Sequence, residues 1–212
     1  SKKKNPNSKL LLRIEDTDRE RSTEEAVKGI FNGLEWLGLS YDEEVHYQTS
    51  RIGRYKEVIT RLLSEGKAYF CSCSRERLGD LRQKQLKRKE KPRYDGFCRD
   101  RDVGSGSGEH VVRYRTPRNG YSNFRDAVLG DIEINNAELD DLVIARSDGM
   151  PTYHLTVVVD DMDMGVTHVI RGDDHLNNTP RQIHILEGIG ASRPVYAHIP
   201  MINGHDGKKL SK

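Results

Sequence analysis

The 212-residue chain has no apolar run approaching the roughly 18 residues that a membrane-spanning helix needs. No secretory signal pattern opens it, so a soluble, cytoplasmic protein is expected. Cysteine is scarce: there are three, an odd number, and two of them are separated by one residue. That is a poor disulfide framework and a fair metal signature. The motifs G-x-x-x-x-G-K-[ST], G-x-G-x-x-G and G-x-S-x-G are all missing, which removes the usual phosphate cradles and nucleophile elbows. Nor is there a large charge of one sign. Lys and Arg number 35 against 33 Asp and Glu, and a net charge of +2 does not by itself call for a nucleic-acid partner.

What is present is enough for a fold. Hydrophobic residues make up 34% and charged residues 32%. The apolar residues fall into periodic runs, which excludes a disordered chain. "KLLLRIE" (9–15) reads as a buried strand. "STEEAVKGIFNGLEWLGLS" reads as a helix, with Ser22 and Glu25 as capping box, an apolar stripe of Val27, Ile30, Phe31, Leu34 and Leu37, and Gly38 as its stop. "TSRIGRYKEVITRLLSEGK" repeats that pattern, with Ser50 as cap and Gly66 as stop. "AYFCSC" is a strand running into a turn, and "SRERLGDLRQKQLKRKEK" is a charged helix whose basic end runs from Arg82 to Arg93. "EHVVRYRTP", "YSNFRDAVLGDIEINN" and "LDDLVIARSDG" alternate like antiparallel strands. "PTYHLTVVVDDMDMG" reads as helix or strand. From about residue 166 the chain reads as a βαβ unit, with Thr179 as helix cap and Pro180 as first helical residue.

The expected organisation is α/β, with three parts: 1–66, an inserted β-rich segment with a helix at 67–145, and 146–212.

Four stretches carry candidate chemistry. In "RIEDTDRER", Glu15 sits past the end of a buried strand, where open α/β sheets bind ligands, and suits an ammonium group. The plain alternative is a solvated turn. Cys71, Cys73 and Cys98 can supply three thiolates to zinc, and Tyr94 or Asp100 the fourth ligand. The alternative is three unrelated reduced thiols. In "VIRGDDHLNNTPRQ", Arg171 can grip a carboxylate bidentately, and the amides around Asn178–Arg181 can face an anion at a helix N-terminus. The alternative there is an ordinary βα loop. In "GKKLSK", clustered ammonium groups on a glycine-flexible loop suit a polyphosphate, or else form a solvated basic end.

Taken in order, "LLRIEDTDRERSTEEAV", "LEWLGLSYDE", "GKAYFCSCSRERL", "KPRYDGFCR", "LDDLVIARSDGMPTYHLTVVVDDMDMGVTHVIRGDDHLNNTPRQ" and "YAHIPMINGHDGKKLSK" resemble the bacterial-type glutamyl-tRNA synthetases, class I aminoacyl-tRNA synthetases. The resemblance implies a Rossmann-type catalytic domain with an inserted mixed α/β, acceptor-stem-binding module. It implies ATP-dependent activation of L-glutamate, with Mg2+, to glutamyl-adenylate, then transfer to the 3′ end of glutamate tRNA. A monomer with no membrane partner and a possible structural Zn2+ is expected.

Residue by residue, the resemblance gives Lys212, assisted by Lys209, to the ATP phosphates and departing pyrophosphate. It gives Glu15 to the α-ammonium group, and Tyr153 and Arg171 to the substrate carboxylates. Asp174 and His175 fall where the family contacts substrate and adenosine. Val157 stands where some relatives carry asparagine. Cys71, Cys73 and Cys98 fall on zinc ligands. Asp100 corresponds to a ligating histidine in some relatives, and Tyr94 to a ligating tyrosine in a shorter paralogue.

The family's first strand with its HIGH-type helix entrance, and its anticodon-binding domain, have no counterpart in the 212 residues. The fragment alone is therefore expected to be inactive. The alternatives are the short paralogue that glutamylates queuosine in aspartate tRNA, and a non-catalytic tRNA-binding fragment. The intact "KKLSK" favours the synthetase over the paralogue. Arg171 favours an acidic substrate over glutamine.

Overall fold

The computed structural model describes residues 9–17, 22–101, 103–104, 109–205 and 207. The chain divides into two units, Ser1–Glu57 and Val58–Lys212.

In the first unit, strand β1 (Arg13–Ile14), helix α1 (Glu24–Trp36) and strand β2 (His46–Tyr47) follow one another. β1 and β2 pair in parallel, Arg13 opposite His46. The strand expected over 9–15 is thus only two residues long. Asp16, just beyond it, accepts the Thr49 amide at 2.8 Å and the Thr49 hydroxyl at 2.5 Å. Thr23, not Ser22, caps α1: its hydroxyl accepts the Ala26 amide at 3.2 Å. The helix begins at Glu24, so only Thr23 is placed to reach an unpaired amide of the first turn. Gly38 ends the helix as expected. Its φ of 65° lets the Leu39 amide turn back onto the Leu34 carbonyl at 2.9 Å. Val27, Ile30, Phe31 and Leu34 form a half-buried stripe, whereas Leu37 is exposed.

A 3-10 turn, Gln48–Arg51, leads into helix α2 (Ile52–Ser64). Ser50 lies inside that turn and donates to the Tyr47 carbonyl at 2.7 Å, so it is not the cap of α2. The stripe Tyr55, Val58, Ile59 and Leu62 is buried as its spacing requires.

The second unit continues with β3 (Ala68–Cys71), α3 (Arg75–Lys87), β4 (Val111–Tyr114), the hairpin β5 (Tyr121–Asp126) and β6 (Gly130–Asn135), and β7 (Val143–Ala145). Helix α4 (Tyr153–Asp163), strand β8 (His168–Gly172), helix α5 (Thr179–Gly188) and strand β9 (Val195–Ile199) complete it. "YHLTVVVDDMD" is therefore a helix, and its Leu155 to Asp160 are all buried. Strands β3, β4 and β7 form one antiparallel sheet in the order β3-β4-β7. The other sheet runs β6-β5-β9-β8. In it β8 and β9 are parallel, with α5 as their crossover, as the βαβ reading predicts. The fold is α/β.

The hairpin β5–β6, read in sequence as part of the inserted segment, shares this second sheet: Asp126 pairs in parallel with Tyr196. Along β5, Ser122, Phe124 and Asp126 point inward, and the residues between them are exposed. α5 starts at Thr179, one residue earlier than expected, so Asn178 occupies the cap position and Pro180 lies in the first turn, where its missing N–H costs nothing.

The C-terminal end of α5 is tied to the first sheet. The Tyr114 hydroxyl on β4 donates to the His184 carbonyl at 2.5 Å. Lys67 and Arg61 donate to the carbonyls of Gly188 and Ile189 at 2.7 and 3.0 Å, which complements the negative end of the helix. Gly188 makes the approach possible, because a Cβ there would lie 2.4 Å from Tyr114 Oη. Gly188→Ala in the full-length protein is expected to destabilise by about 1–3 kcal/mol through overpacking, read by chemical denaturation. Tyr114→Phe, which removes the clashing oxygen, should recover part of that loss in the double variant; a fully additive loss sinks the contact.

Candidate functional site

Two side-chain constellations stand out in the second unit. The first is the cysteine cluster. β3 delivers Cys71, the following turn Cys73, and the loop after α3 Tyr94 and Cys98. The three sulfurs lie within 4.8 Å of one another, with Cys73 and Cys98 3.5 Å apart. Zn–S bonds of about 2.3 Å in a tetrahedron place sulfurs roughly 3.8 Å apart, so the spacing fits the ion. Tyr94 Oη lies 3.3 Å from Cys71 Sγ and 3.7 Å from Cys73 Sγ, and accepts the Cys98 amide at 2.8 Å. Asp100 turns away: its side chain is 77% exposed and pairs with Arg115 at 3.2 Å. Of the two candidate fourth ligands, the geometry brings only Tyr94 to the sulfurs.

The cluster is charge-biased. Burial pushes the Cys71 thiol up, but hydrogen bonds from Tyr94, the Cys73 amide and Arg113 outweigh it, and the net shift is downward. Burial pushes the Cys73 thiol up to about 11 despite the Tyr94 hydrogen bond. Burial and the hydrogen bond to Cys71 hold the Tyr94 phenol well above its usual range. Arg113 adds a cation's pull on Cys71 behind the Tyr94 and Cys73 hydrogen bonds. It is buried on β4, donates to the Asp141 carbonyl at 2.7 Å, and its guanidinium lies 3.7 Å over the Tyr94 ring. Among the described residues it makes no ion pair. Its strand reads as simple alternation, so nothing in the sequence marks Arg113 as a partner of the cysteines.

The second constellation surrounds Arg171, in the carboxyl-terminal half of β8. Its Nε donates to His198 Nε2 at 3.1 Å, Nη1 to Gln182 Oε1 at 2.8 Å, and Nη2 to Thr179 Oγ1 at 2.7 Å. Arg171 and His198 are register partners on β8 and β9, while Thr179 and Gln182 stand three residues apart on one face of α5. All three acceptors are neutral, and among the described residues the guanidinium makes no ion pair. His198 is fully buried, and its Nδ1 lies 2.6 Å from Asp126 Oδ2. Asp126 also accepts the amides of Val128 and Leu129 at 3.0 Å. Burial works against the Asp126 charge, but these hydrogen bonds prevail and hold its carboxyl down to about 2.

Around this core sit the other predicted residues of the second unit. Tyr153 opens α4, 36% exposed, with its ring 6.4 Å from that of His175. His175 Nε2 lies 4.0 Å from Asp174 Oδ2, and its Nδ1 lies 3.1 Å from the Asn178 amide. A Cβ at Gly172 would meet Asp174 Oδ1 at 2.6 Å and Met201 Sδ at 3.3 Å, so a larger residue would displace the Asp174 carboxylate. His154, which sequence reading passed over, has its base strength lowered to about 4 by burial and by the charges of Arg181, Arg171 and His175. Its Nδ1 has no hydrogen-bond partner among the described residues. The structure thus gathers Tyr153, Arg171, Asp174 and His175 within the second unit. Glu15 lies in the first unit, where Arg13 donates to its carboxylate at 3.1 Å. Lys209 and Lys212 fall outside the described residues. Among the described residues, no helix is long and apolar enough to cross a membrane.

The family model for tRNA synthetases class I (E and Q), catalytic domain, matches residues 2–212. The chain belongs to the class I tRNA synthetases of the E and Q type. It is 57% identical over 209 residues, 99% of its length, to a glutamate–tRNA ligase of Legionella pneumophila. It is 60% identical over 204 residues to glutamate–tRNA ligase 1 of Alkalilimnicola ehrlichii. Among solved structures it resembles the glutamate–tRNA synthetase of Elizabethkingia anophelis, at 30% identity and a TM-score of 0.85 over 96% of the chain. A glutamate tRNA ligase of Elizabethkingia meningosepticum, solved in complex with its amino acid, matches at 30% identity and a TM-score of 0.84. The chain covers 44% and 43% of the two curated relatives, and 46% and 45% of the two solved chains. Within the synthetase family, both constellations fall on motifs that sequence reading singles out.

The cysteine cluster generates a metal test. Tyr94→Phe in the full-length protein is expected to weaken zinc retention roughly tenfold or more in chelator competition, whereas Asp100→Asn leaves it unchanged. A clearly substoichiometric zinc content by elemental analysis of the unmutated protein would mean that the thiols are only thiols.

Proposed function

We propose that the full-length protein ligates L-glutamate to the 3′ end of glutamate tRNA through a glutamyl-adenylate intermediate. The observation that carries this reading is the state of Arg171: a cation held by three neutral acceptors, with no ion pair among the described residues. Such a group lacks an anion, and a carboxylate is the ligand that a guanidinium fork fits. Glutamine presents a neutral amide with a single acceptor oxygen, so it cannot supply the bidentate ionic contact that a carboxylate makes with the fork.

In the proposed reaction, the glutamate α-carboxylate attacks the α-phosphorus of ATP, and the bond to the pyrophosphate leaving group breaks. Glu15 receives the α-ammonium group, while Tyr153 and Arg171 receive the carboxylates. Asp174 and His175 contact substrate and adenosine. Lys212, with Lys209, neutralises the charge that builds on the departing pyrophosphate. Mg2+ supplies charge neutralisation on the phosphates when bound. The ribose hydroxyl of the terminal adenosine then attacks the mixed anhydride and releases AMP. Residues 67–145 serve as the inserted acceptor-stem-binding module, with 1–66 and 146–212 as the two parts of the catalytic domain. Zinc, when bound, closes the turn of Cys71 and Cys73 onto the Tyr94–Cys98 loop. The working protein is a cytoplasmic monomer.

Pyrophosphate exchange with the full-length protein tests this. Exchange should require L-glutamate, and Arg171→Ala should erase the preference for glutamate over glutamine. An unchanged ratio of specificity constants refutes the pocket assignment. Lys212→Ala should slow exchange by about 2.7–4 kcal/mol of barrier while glutamate binding changes far less. A normal exchange rate in that variant removes Lys212 from the mechanism.

A further inference from the structure

Arg171 has five N–H donors, and the structure accounts for three. The Nε/Nη2 edge is closed: His198 takes Nε, Thr179 takes Nη2, and these two acceptors lie 3.1 Å apart. One N–H remains on each of Nη1 and Nη2. A carboxylate is thereby kept off the Nε/Nη2 side of the fork and left with the remaining Nη hydrogens.

The protonation of His198 follows from its neighbours. Arginine only donates, so His198 Nε2 must be a bare lone pair. The ring proton is then on Nδ1, where Asp126 Oδ2 accepts it at 2.6 Å. Asp126 is fixed in turn by the amides of Val128, Leu129 and His198 itself, the last at 3.1 Å. A carboxylate thus holds an imidazole in one tautomer and one orientation, and the imidazole holds the arginine. The same logic orients metal-bound histidines through their outer hydrogen bonds.

The choice of a neutral spacer has a consequence. Asp126 placed directly on Arg171 would pair with it and compete with any incoming carboxylate. With His198 between them, Asp126 transmits orientation while the guanidinium keeps its positive charge for a ligand.

We propose that His198, backed by Asp126, is a specificity-determining positioning residue that presents Arg171 to a substrate carboxylate and sustains the preference for glutamate over glutamine. This rests on the glutamate reading above.

The test uses pyrophosphate exchange in the full-length protein. His198→Asn keeps a donor near Asp126 and removes the acceptor for Arg171. It is expected to raise KM for glutamate roughly tenfold to a hundredfold, to leave KM for ATP unchanged, and to lower the glutamate-to-glutamine ratio by a similar factor. In an Arg171→Ala background it should add nothing to the glutamate KM. A parallel rise in both KM values, an unchanged glutamate KM, or full additivity with Arg171→Ala overturns the proposal. If Arg171→Ala itself leaves the ratio intact, the glutamate reading fails. If only His198→Asn leaves it intact, the positioning role alone fails. A measurement without any variant serves where His198→Asn does not fold: imidazole 15N shifts of the unmutated protein should report a neutral, Nδ1-protonated His198. An Nε2-protonated ring overturns the proposal.

Discussion

The hydrogen bond from Arg171 Nε to His198 Nε2, at 3.1 Å, is the contact on which the second unit's chemistry depends. It joins β8 to β9 by side chains where the backbone ladder already pairs them. Through His198 it reaches Asp126 at the end of β5, and through Thr179 and Gln182 it reaches the first turns of α5. Four elements therefore converge on one cation. Asp126 accepts hydrogen bonds from the side chain and amide of His198 and from two further amides, so its charge is well compensated where it sits. Arg171 is differently placed. It has hydrogen bonds but no counter-ion among the described residues, which is a costly way to hold a charge unless a ligand completes it.

The contrast with Arg113 shows that this is a choice of design. Arg113 is buried, also makes no ion pair among the described residues, and also donates to a neutral oxygen, the Asp141 carbonyl. It lies beside the Cys71 thiol, whose acidity it increases together with Tyr94 and the Cys73 amide. Arg113 thus adjoins a closed cluster in which Tyr69 and Val111 pack against the cysteines. Arg171 keeps two N–H groups uncommitted among the described residues.

Much of this was legible in the sequence, and the limit is physical. Helical stripes placed α1 and α2, glycines placed their ends, and the βαβ unit emerged from alternating strand and helix periods. The spacing of Cys71, Cys73 and Cys98 offers a metal site or three separate thiols, and the fold brings the three sulfurs together; "VIRGDDH" points to an arginine at a strand end. The starts of α1 and α5 differ by one residue from the sequence reading: Thr23, not its neighbour Ser22, caps α1, and α5 begins at Thr179 with no side-chain cap from Asn178. The hairpin β5–β6 was assigned by adjacency in the chain, whereas its sheet partner, β9, lies some seventy residues away in sequence. Asp126 and His198 were invisible for the same reason. Each looks like an ordinary polar residue in its own strand, and their meaning comes from register across the sheet. The choice of Tyr94 over Asp100 likewise needed the fold of the loop, since both stand close to Cys98 in sequence.

The two constellations are not independent parts of the second unit. β3 carries Cys71 and pairs with β4, which carries Arg113 and, one residue later, Tyr114. Tyr114 donates to the His184 carbonyl of α5 and packs on Gly188, while the opposite end of α5 supplies Thr179 and Gln182 to Arg171. α5 is ten residues long, and a helix of that length moves nearly as a rigid rod. A change at the cysteine sheet that shifts Tyr114 therefore bears on the register of Thr179 and Gln182 against the guanidinium. Asp126 and His198 approach Arg171 from the other side, from β5 and β9, and do not share that lever. The arginine is consequently clamped between two supports of different origin. Its charge is held in place by neutral groups alone.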